Sequence, residues 1–354
     1  MKILVVHREA ELYERLKDFS TNSDKDYFRD LEIEYAQDTN AKRYGNFESY
    51  VQKMEREGPE WIEPDREVLD KIVDADILLT EWGGISSQVI QAGKRLKLIA
   101  TIRSGYENIN ADYAGKLGIP VSVAPSRLAN AVADMTVALM LSECRGILRR
   151  NLRSNGGAWV EEKYNDESHS ALCSLKIGLV GYGGIAREVA KRLVKGFGAE
   201  VFAYETIASP EVLEADGVVP VTLEELCRIC DIVSLHARLV SETEKMFGKE
   251  QFAMMKPNAI FINTARAGLM DEEALIEALQ SGKIRGAGLD VYATEPLPAD
   301  SPLLGMDNVT LMPHSAGITR DIIKNSLKII CAELERFLKG EELQFVINRQ
   351  EGNN

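Results

Sequence analysis

A chain of 354 residues, 45% hydrophobic and 27% charged, is long enough for two domains of ordinary size, each with its own core. Its net charge of −13 leaves no broad basic surface for a phosphate backbone, which argues against nucleic acid as a partner. No apolar run reaches the roughly 18 residues that cross a bilayer, and the first short strand passes straight into charged residues, so the expectation is a cytoplasmic protein with no membrane partner.

Residues 1–124 alternate short apolar strands (3–6, 31–35, 77–79, 98–101 and 120–123) with helical stretches, the rhythm of a small parallel α/β unit. Within it, 36–64 is a polar insertion bearing Tyr44, Phe47, Tyr50 and Trp61, which reads as a lid, an interface or decoration. Two glycine-containing loops follow strand ends, one with Trp82 and the other with Arg103, Ser104 and Gly105. Ligands collect outside the carboxyl ends of strands in open α/β sheets, so these four residues are candidate substrate contacts. The alternatives are a surface aromatic for Trp82 and a structural ion pair for Arg103.

Ala124-Pro125-Ser126 marks a switch point. A long helix over 128–150 follows, capped by Asn130 or Ser126 and apolar on more than one face, as suits a helix between domains or subunits. Residues 149–174, with Gly156, Gly157 and Trp159, read as an extended polar arm.

The stretch 176–205, KIGLVGYGGIAREVAKRLVKGFGAEVFAYE, is the most informative in the chain. A buried strand runs into Gly181, Gly183 and Gly184, a helix begins at Ile185, and a second strand ends on Glu205. Gly181 permits the sharp turn, Gly183 lets backbone approach a diphosphate, and Ala186 is small enough for helix to pack on strand. The diphosphate would face free N–H groups and the positive end of the helix dipole. Glu205, about 20 residues past the turn, sits where a carboxylate accepts hydrogen bonds from ribose hydroxyls and repels a 2′-phosphate, so NAD is favoured over NADP.

Strands at 200–204, 232–235, 259–263, 286–289 and 309–311 continue this second domain. Glu205, His236, Thr264, Ala265, Arg266, Asp290 and His314 each follow a strand, so folding the sheet brings them to one rim. Of the four histidines, His7 and His169 read as structural or solvated. His314, approached through Pro313 and followed by small residues, reads as a proton donor for a ketone, with a nearby glutamate fixing its tautomer and raising its pKa. Arg266 offers a guanidinium fork for an α-keto acid; an ion pair with Asp271 is the alternative. Asp290 is a candidate for the nicotinamide carboxamide. Five cysteines, an odd number, read as reduced thiols. Cys227 and Cys230 form a lone CxxC that reads as buried small side chains, and no metal site is expected.

The segments GYGGIA with Glu205, DIVSLHARL, MKPNAIFINTARAGLMDEEAL, GAGLDVYATEPLPADSPLL and LMPHSAG resemble the D-isomer-specific 2-hydroxyacid dehydrogenases. The likeness extends upstream through RSGYENINADYAGKLGIPV and downstream to FLKGEEL. It implies two α/β domains with Rossmann-like and flavodoxin-like parallel sheets and a cleft between them: a substrate-binding domain over 1–124, to which 315–354 returns, and an NAD-binding domain over 125–314. It further implies NAD-dependent hydride transfer between a 2-keto acid and a D-2-hydroxy acid, with Arg266 as carboxylate anchor, Glu295 as partner of the acid/base and His314 as that acid/base. The cofactor contacts it implies include Gly181, Gly183, Gly184, Ile185, Glu205, His236, Thr264, Ala265 and Asp290. Backbone amides around Ser104 and Gly105 would bind the substrate carboxylate, and the family is usually dimeric. Departures are Ala186 for the third glycine, Glu205 for an aspartate, Arg238 for a proline, and the bulky Arg103, expected to bind a distal polar or acidic group of the substrate. The alternatives on the same framework are an NADH-sensing binding protein and a phosphonate dehydrogenase.

Overall fold

The computed structural model describes residues 1–22, 26–158 and 170–349; Trp159 and His169 lie outside them. Contacts divide the chain into two compact units, Met1–Arg127 with Arg320–Asn354, and Leu128–Thr319.

In the first unit, β1 (Lys2–His7), β2 (Glu32–Gln37), β3 (Ile77–Thr80), β4 (Leu98–Thr101) and β5 (Val121–Ser122) form a parallel sheet in the order β2-β1-β3-β4-β5. Leu4, Val6, Leu78 and Ile99 enter the core on one face, and Ile3, Val5, Leu79 and Leu98 the core on the other. Burial on both faces is why these strands read as unbroken apolar runs. The helix Ile322–Lys339 brings Leu327, Ile330 and Leu334 to the second of those cores, so the C-terminal segment returns to this sheet.

The 36–64 insertion forms the helices Asn40–Arg43 and Phe47–Glu57, the latter capped by the Asn46 side chain. Tyr50, Met54 and Ile62 make a small core of their own, with Trp61 packed against it. The Tyr50 hydroxyl donates to the Trp82 carbonyl at 3.1 Å, and the Phe47 and Trp82 rings meet edge to face at 6.0 Å. The insertion is therefore a cover on the loop after β3.

In the second unit, β6 (Lys176–Val180), β7 (Glu200–Tyr204), β8 (Val218–Pro220), β9 (Ile232–Leu235), β10 (Ile260–Asn263), β11 (Gly286–Leu289) and β12 (Val309–Leu311) form a parallel sheet in the order β12-β11-β10-β9-β6-β7-β8. The long helix is Ala129–Arg145, ending at Gly146 in the left-handed region (φ 58°), and a second helix, Ile147–Asn155, stands where an extended arm was expected. Neither expected residue caps the first helix: its N-cap is Leu128, Ser126 has φ 57°, and the Asn130 side chain accepts instead from Arg192 at 3.0 Å. Val137, Met140 and Cys144 share a core with Ile177, Ile260 and Ile262, so the broad apolar surface of this helix is used on the sheet of its own unit. Cys227 and Cys230 are buried beside Leu226 and Val233, and burial pushes both thiols up to about 12. Among the described residues no helix is long and apolar enough to cross a membrane.

Both strand orders contain a reversal, between β1 and β3 in the first unit and between β6 and β9 in the second. Such switch points open a crevice at the carboxyl ends of the strands.

Candidate active site

At the second unit's switch point, Gly181 has φ 92°, and a β-carbon there would lie 2.6 Å from the Ala237 backbone nitrogen. The turn after β6 thus packs directly on the backbone after β9, and only glycine fits. Gly183 is different: a β-carbon there would meet nothing within 4 Å. It is also the N-cap of the helix Gly184–Lys191 and supplies no side-chain cap, so the first N–H groups, including that of Ile185, are left to an outside acceptor. Open space before an uncapped helix start fits a diphosphate. Ala186 is fully buried against the strands, as its size requires.

Glu205 accepts N–H groups from Tyr182 at 2.5 Å and from Thr206 and Ile207 at 2.7 Å each. Burial pushes its pKa up, but the backbone donors, led by Ile207 and Tyr182, outweigh that and hold the carboxyl below the ordinary glutamate range. It is anchored and anionic. His236 Nε2 lies 2.9 Å from Ser234 Oγ, and burial lowers the imidazole pKa to about 4, so the ring is neutral at pH 7.

Register levels the rest. Tyr204, Val180, Leu235, Asn263, Leu289 and Leu311 lie in one row across the sheet, so the residues that follow them leave it along a single edge. After β10, the Asn263 amide accepts the Ala265 N–H and donates to the Arg266 carbonyl, which folds the loop. Thr264 is buried, its hydroxyl 2.8 Å from that of Thr136. Arg266 is exposed and donates to the Ala265 carbonyl; it makes no ion pair with Asp271, whose carboxylate caps the next helix by accepting from Ala274.

After β12, His314 adopts φ 49°, an uncommon conformation for a residue with a side chain. Its Nδ1 lies 2.6 Å from Glu295 Oε2, and Glu295 Oε1 accepts the Tyr292 N–H at 3.0 Å. Nε2 of His314 has no hydrogen-bond partner among the described residues, and the side chain is about half exposed (49%). Asp290, read as a nicotinamide contact, is instead 1% exposed, and its two carboxylate oxygens accept the Ser315 and Ala316 N–H groups at 2.8 and 2.9 Å. It holds the turn behind His314 in place. Two of the expected trio are thus joined directly, while Arg266 stands on the same edge without a hydrogen bond to either.

In the first unit, Ser104 is exposed and its hydroxyl donates to the Ala124 carbonyl, with Gly105 beside it. The expectation that Arg103 meets a distal substrate group is corrected. Arg103 is 5% exposed, its guanidinium carbon lies 3.1 Å from the Trp82 ring centre, and it donates to Asn108 and Glu107 at 2.9 and 3.2 Å, with Glu55 at 3.8 Å. Burial lowers its pKa to about 10, and the neighbouring carboxylates keep it charged and satisfied.

Residues 137–316 match the family model for the D-isomer specific 2-hydroxyacid dehydrogenase, NAD binding domain. The chain is 38% identical over 284 residues to D-3-phosphoglycerate dehydrogenase of Methanocaldococcus jannaschii, covering 80% of this chain and 53% of that protein, about half its length. It is 35% identical over 287 residues to glyoxylate reductase of Thermococcus litoralis, covering 80% of this chain and 86% of the relative. The chain belongs to the D-isomer specific 2-hydroxyacid dehydrogenase family. Among solved structures, D-lactate dehydrogenase with NAD+ from Lactobacillus jensenii matches with a TM-score of 0.76 at 28% identity, covering 99% of this chain and 100% of that one.

Within this dehydrogenase, sequence reasoning passed over Asn263, Tyr292 and the supporting role of Asp290. The Tyr292 hydroxyl donates to the Met312 carbonyl at 2.7 Å, and its N–H orients Glu295, so one residue ties the glutamate's loop to that of the histidine. An Asn closing a buried strand was a legible signal for a side chain folding its own loop. Arg238 is exposed, and its side chain has no hydrogen bond or ion pair among the described residues.

Proposed function

We propose that this chain is an NAD-dependent oxidoreductase interconverting a 2-keto acid and a D-2-hydroxy acid, with His314 as acid/base, Glu295 as its partner and Arg266 as carboxylate anchor. The observation that carries the residue roles is the His314–Glu295 pair at 2.6 Å with Nε2 left open. An ionised carboxylate only accepts, so Glu295 holds the proton on Nδ1 and sets which ring nitrogen meets the substrate. His314 Nε2 then gives a proton to the ketone oxygen in reduction and takes it back in oxidation. Arg266 commits one N–H to the Ala265 carbonyl and has the rest of its fork for a carboxylate.

The helix start at Gly183, Gly184 and Ile185 would hold the diphosphate and Glu205 the ribose hydroxyls, with Thr264, Ala265 and His236 lining the same edge. NADH bound there supplies the hydride. Trp82, Ser104 and Gly105, at the carboxyl rim of the first unit, are read as substrate contacts. A cytoplasmic homodimer fits the exposed Ile147, Leu148 and Leu152 on the helix Ile147–Asn155, and light scattering at micromolar concentration tests the dimer.

The deciding experiment follows NADH oxidation against a panel of 2-keto acids, repeated with NADPH, with phosphonate and NAD, and with His314→Ala. Turnover of at least one keto acid with NADH, lost in His314→Ala, is expected. Tight NADH binding with no turnover would replace the enzyme by a binding protein, and NAD reduction by phosphonate alone would change the substrate class.

A further inference from the structure

In the second unit, the loop after β9 is held between the glycine turn after β6 and the loop after β10. A β-carbon on Gly181 would lie 2.6 Å from the Ala237 backbone nitrogen, and one on Gly268 would lie 2.9 Å from Leu239 Cδ2. Arg238 stands between those two contacts. Its carbonyl accepts the Thr243 hydroxyl at 2.6 Å, and the same hydroxyl oxygen accepts the Val240 N–H at 2.9 Å, so the loop itself fixes the backbone that carries Arg238. The side chain is uncommitted: it is exposed and makes no hydrogen bond or ion pair among the described residues.

The cations of the neighbouring helix are engaged. On Gly184–Lys191, Arg187 pairs with Asp216 at 3.0 Å and Lys191 with Glu188 at 3.6 Å, and just beyond it Arg192 pairs with Asp134 at 2.7 Å. Lys245, further along the connection that follows β9, gives its backbone N–H to the Gly268 carbonyl at 2.7 Å, which puts it on the β10 side, away from Gly181. The charge tied to the turn itself is negative, because the Glu205 carboxylate accepts the Tyr182 N–H. A diphosphate brings two more negative charges, and a helix start offers roughly half a positive one. The crevice therefore lacks a cation.

We infer that Arg238 supplies it, binding the diphosphate of NAD from the β9 side of the crevice. This rests on the reading that places the diphosphate at Gly183, Gly184 and Ile185, and it requires nothing of His314 or Arg266. A guanidinium on a fixed backbone presents several N–H donors to phosphate oxygens with little of the chain left to order. The related dehydrogenases are expected to carry a proline at this position, which offers neither charge nor donor, so the contact distinguishes this chain.

The test is calorimetric titration of wild type, Arg238→Met and Arg238→Lys with ADP, NADH and adenosine, at low and at high potassium chloride. At low salt Arg238→Met should bind ADP and NADH about tenfold more weakly, the lower range for a hydrogen bond to a charged group because the side chain is exposed, and Arg238→Lys should recover part of the loss. The gap between wild type and Arg238→Met should narrow at high salt, and adenosine, which has no phosphate, should bind both alike. Equal ADP affinity of wild type and Arg238→Met, a loss indifferent to salt, or an equal loss for adenosine would overturn the role of Arg238. Gly183→Val separates this from the reading beneath it. The substitution meets no clash, since a β-carbon there has nothing within 4 Å, and it should abolish ADP binding by filling the space before the helix. Unchanged ADP affinity in Gly183→Val would overturn the placement of the diphosphate itself.

Discussion

Among the described residues there are two histidine–glutamate pairs, each at the carboxyl ends of parallel strands, and they differ in what surrounds the ring. In His314–Glu295 one imidazole nitrogen is held at 2.6 Å, and the other is unbonded on a half-exposed side chain. In His7–Glu81 both nitrogens are engaged, Nδ1 by the Glu9 backbone and Nε2 by the Glu81 carboxylate, and the histidine side chain is 5% exposed. The Glu9 N–H also points at Nδ1, at 3.1 Å, so neither nitrogen is left over for a ligand. The first pair can pass a proton to a ligand. The second is a buried strut linking the ends of β1 and β3. The same two residue types give chemistry or cohesion according to whether one nitrogen is left over.

Removing the ring sharpens this contrast most. His314→Ala should lower kcat by about 10²- to 10⁴-fold while leaving the melting temperature nearly unchanged, since little is buried there. Glu295→Gln keeps a hydrogen-bonding group beside Nδ1 but removes its charge, and kcat should fall by about tenfold or more, less than for His314→Ala. If Glu295→Gln were as active as the wild type, the pairing would have no catalytic meaning.

Asp290→Ala tests whether the exposed pair depends on a buried support. Two backbone N–H groups lose their acceptor, so stability measured by urea denaturation should drop by about 2 kcal/mol, and kcat should fall with it as His314 leaves its left-handed conformation. The smallest effect belongs to His7→Gln, at about 1 kcal/mol once desolvation offsets part of the ion pair. Burial lowers the His7 pKa, but the hydrogen bonds to Glu81 and to the Glu9 backbone together with the Glu81 charge outweigh it, and the net shift is upward from 6.5. A raised folded-state pKa contributes stability that is fully present below about pH 6.5 and is lost as pH rises through the folded value. The stability gap between wild type and His7→Gln should therefore be widest in mild acid and narrow as pH rises. A gap that widened with pH would mean that the ring is buried neutral.

The two pairs also differ in how legible they were. His314 and Glu295 lie 19 residues apart within segments that fix both loops, and the strands before them announce themselves as short apolar runs. His7 and Glu81 are 74 residues apart, and nothing local to either shows that the other will arrive. The same holds for Arg103, whose identity suggested a substrate cation: its partner Trp82 comes from another loop, and only packing reveals that the charge is sealed in. The helix Phe47–Glu57 was unreadable because its apolar residues pack on Trp61 and on the loop after β3. β8 escaped notice because it is three residues long and ends on a proline at the sheet's edge.

The shared row that carries Val180, Leu235, Asn263, Leu289 and Leu311 constrains how this protein can change. Deleting one residue inside β12 would pull His314 back by about 3.3 Å and turn the strand's side chains beyond the deletion to the opposite face of the sheet. Insertions after the row alter only a loop, so new substrate preferences are accessible through connector length, whereas strand length is effectively frozen.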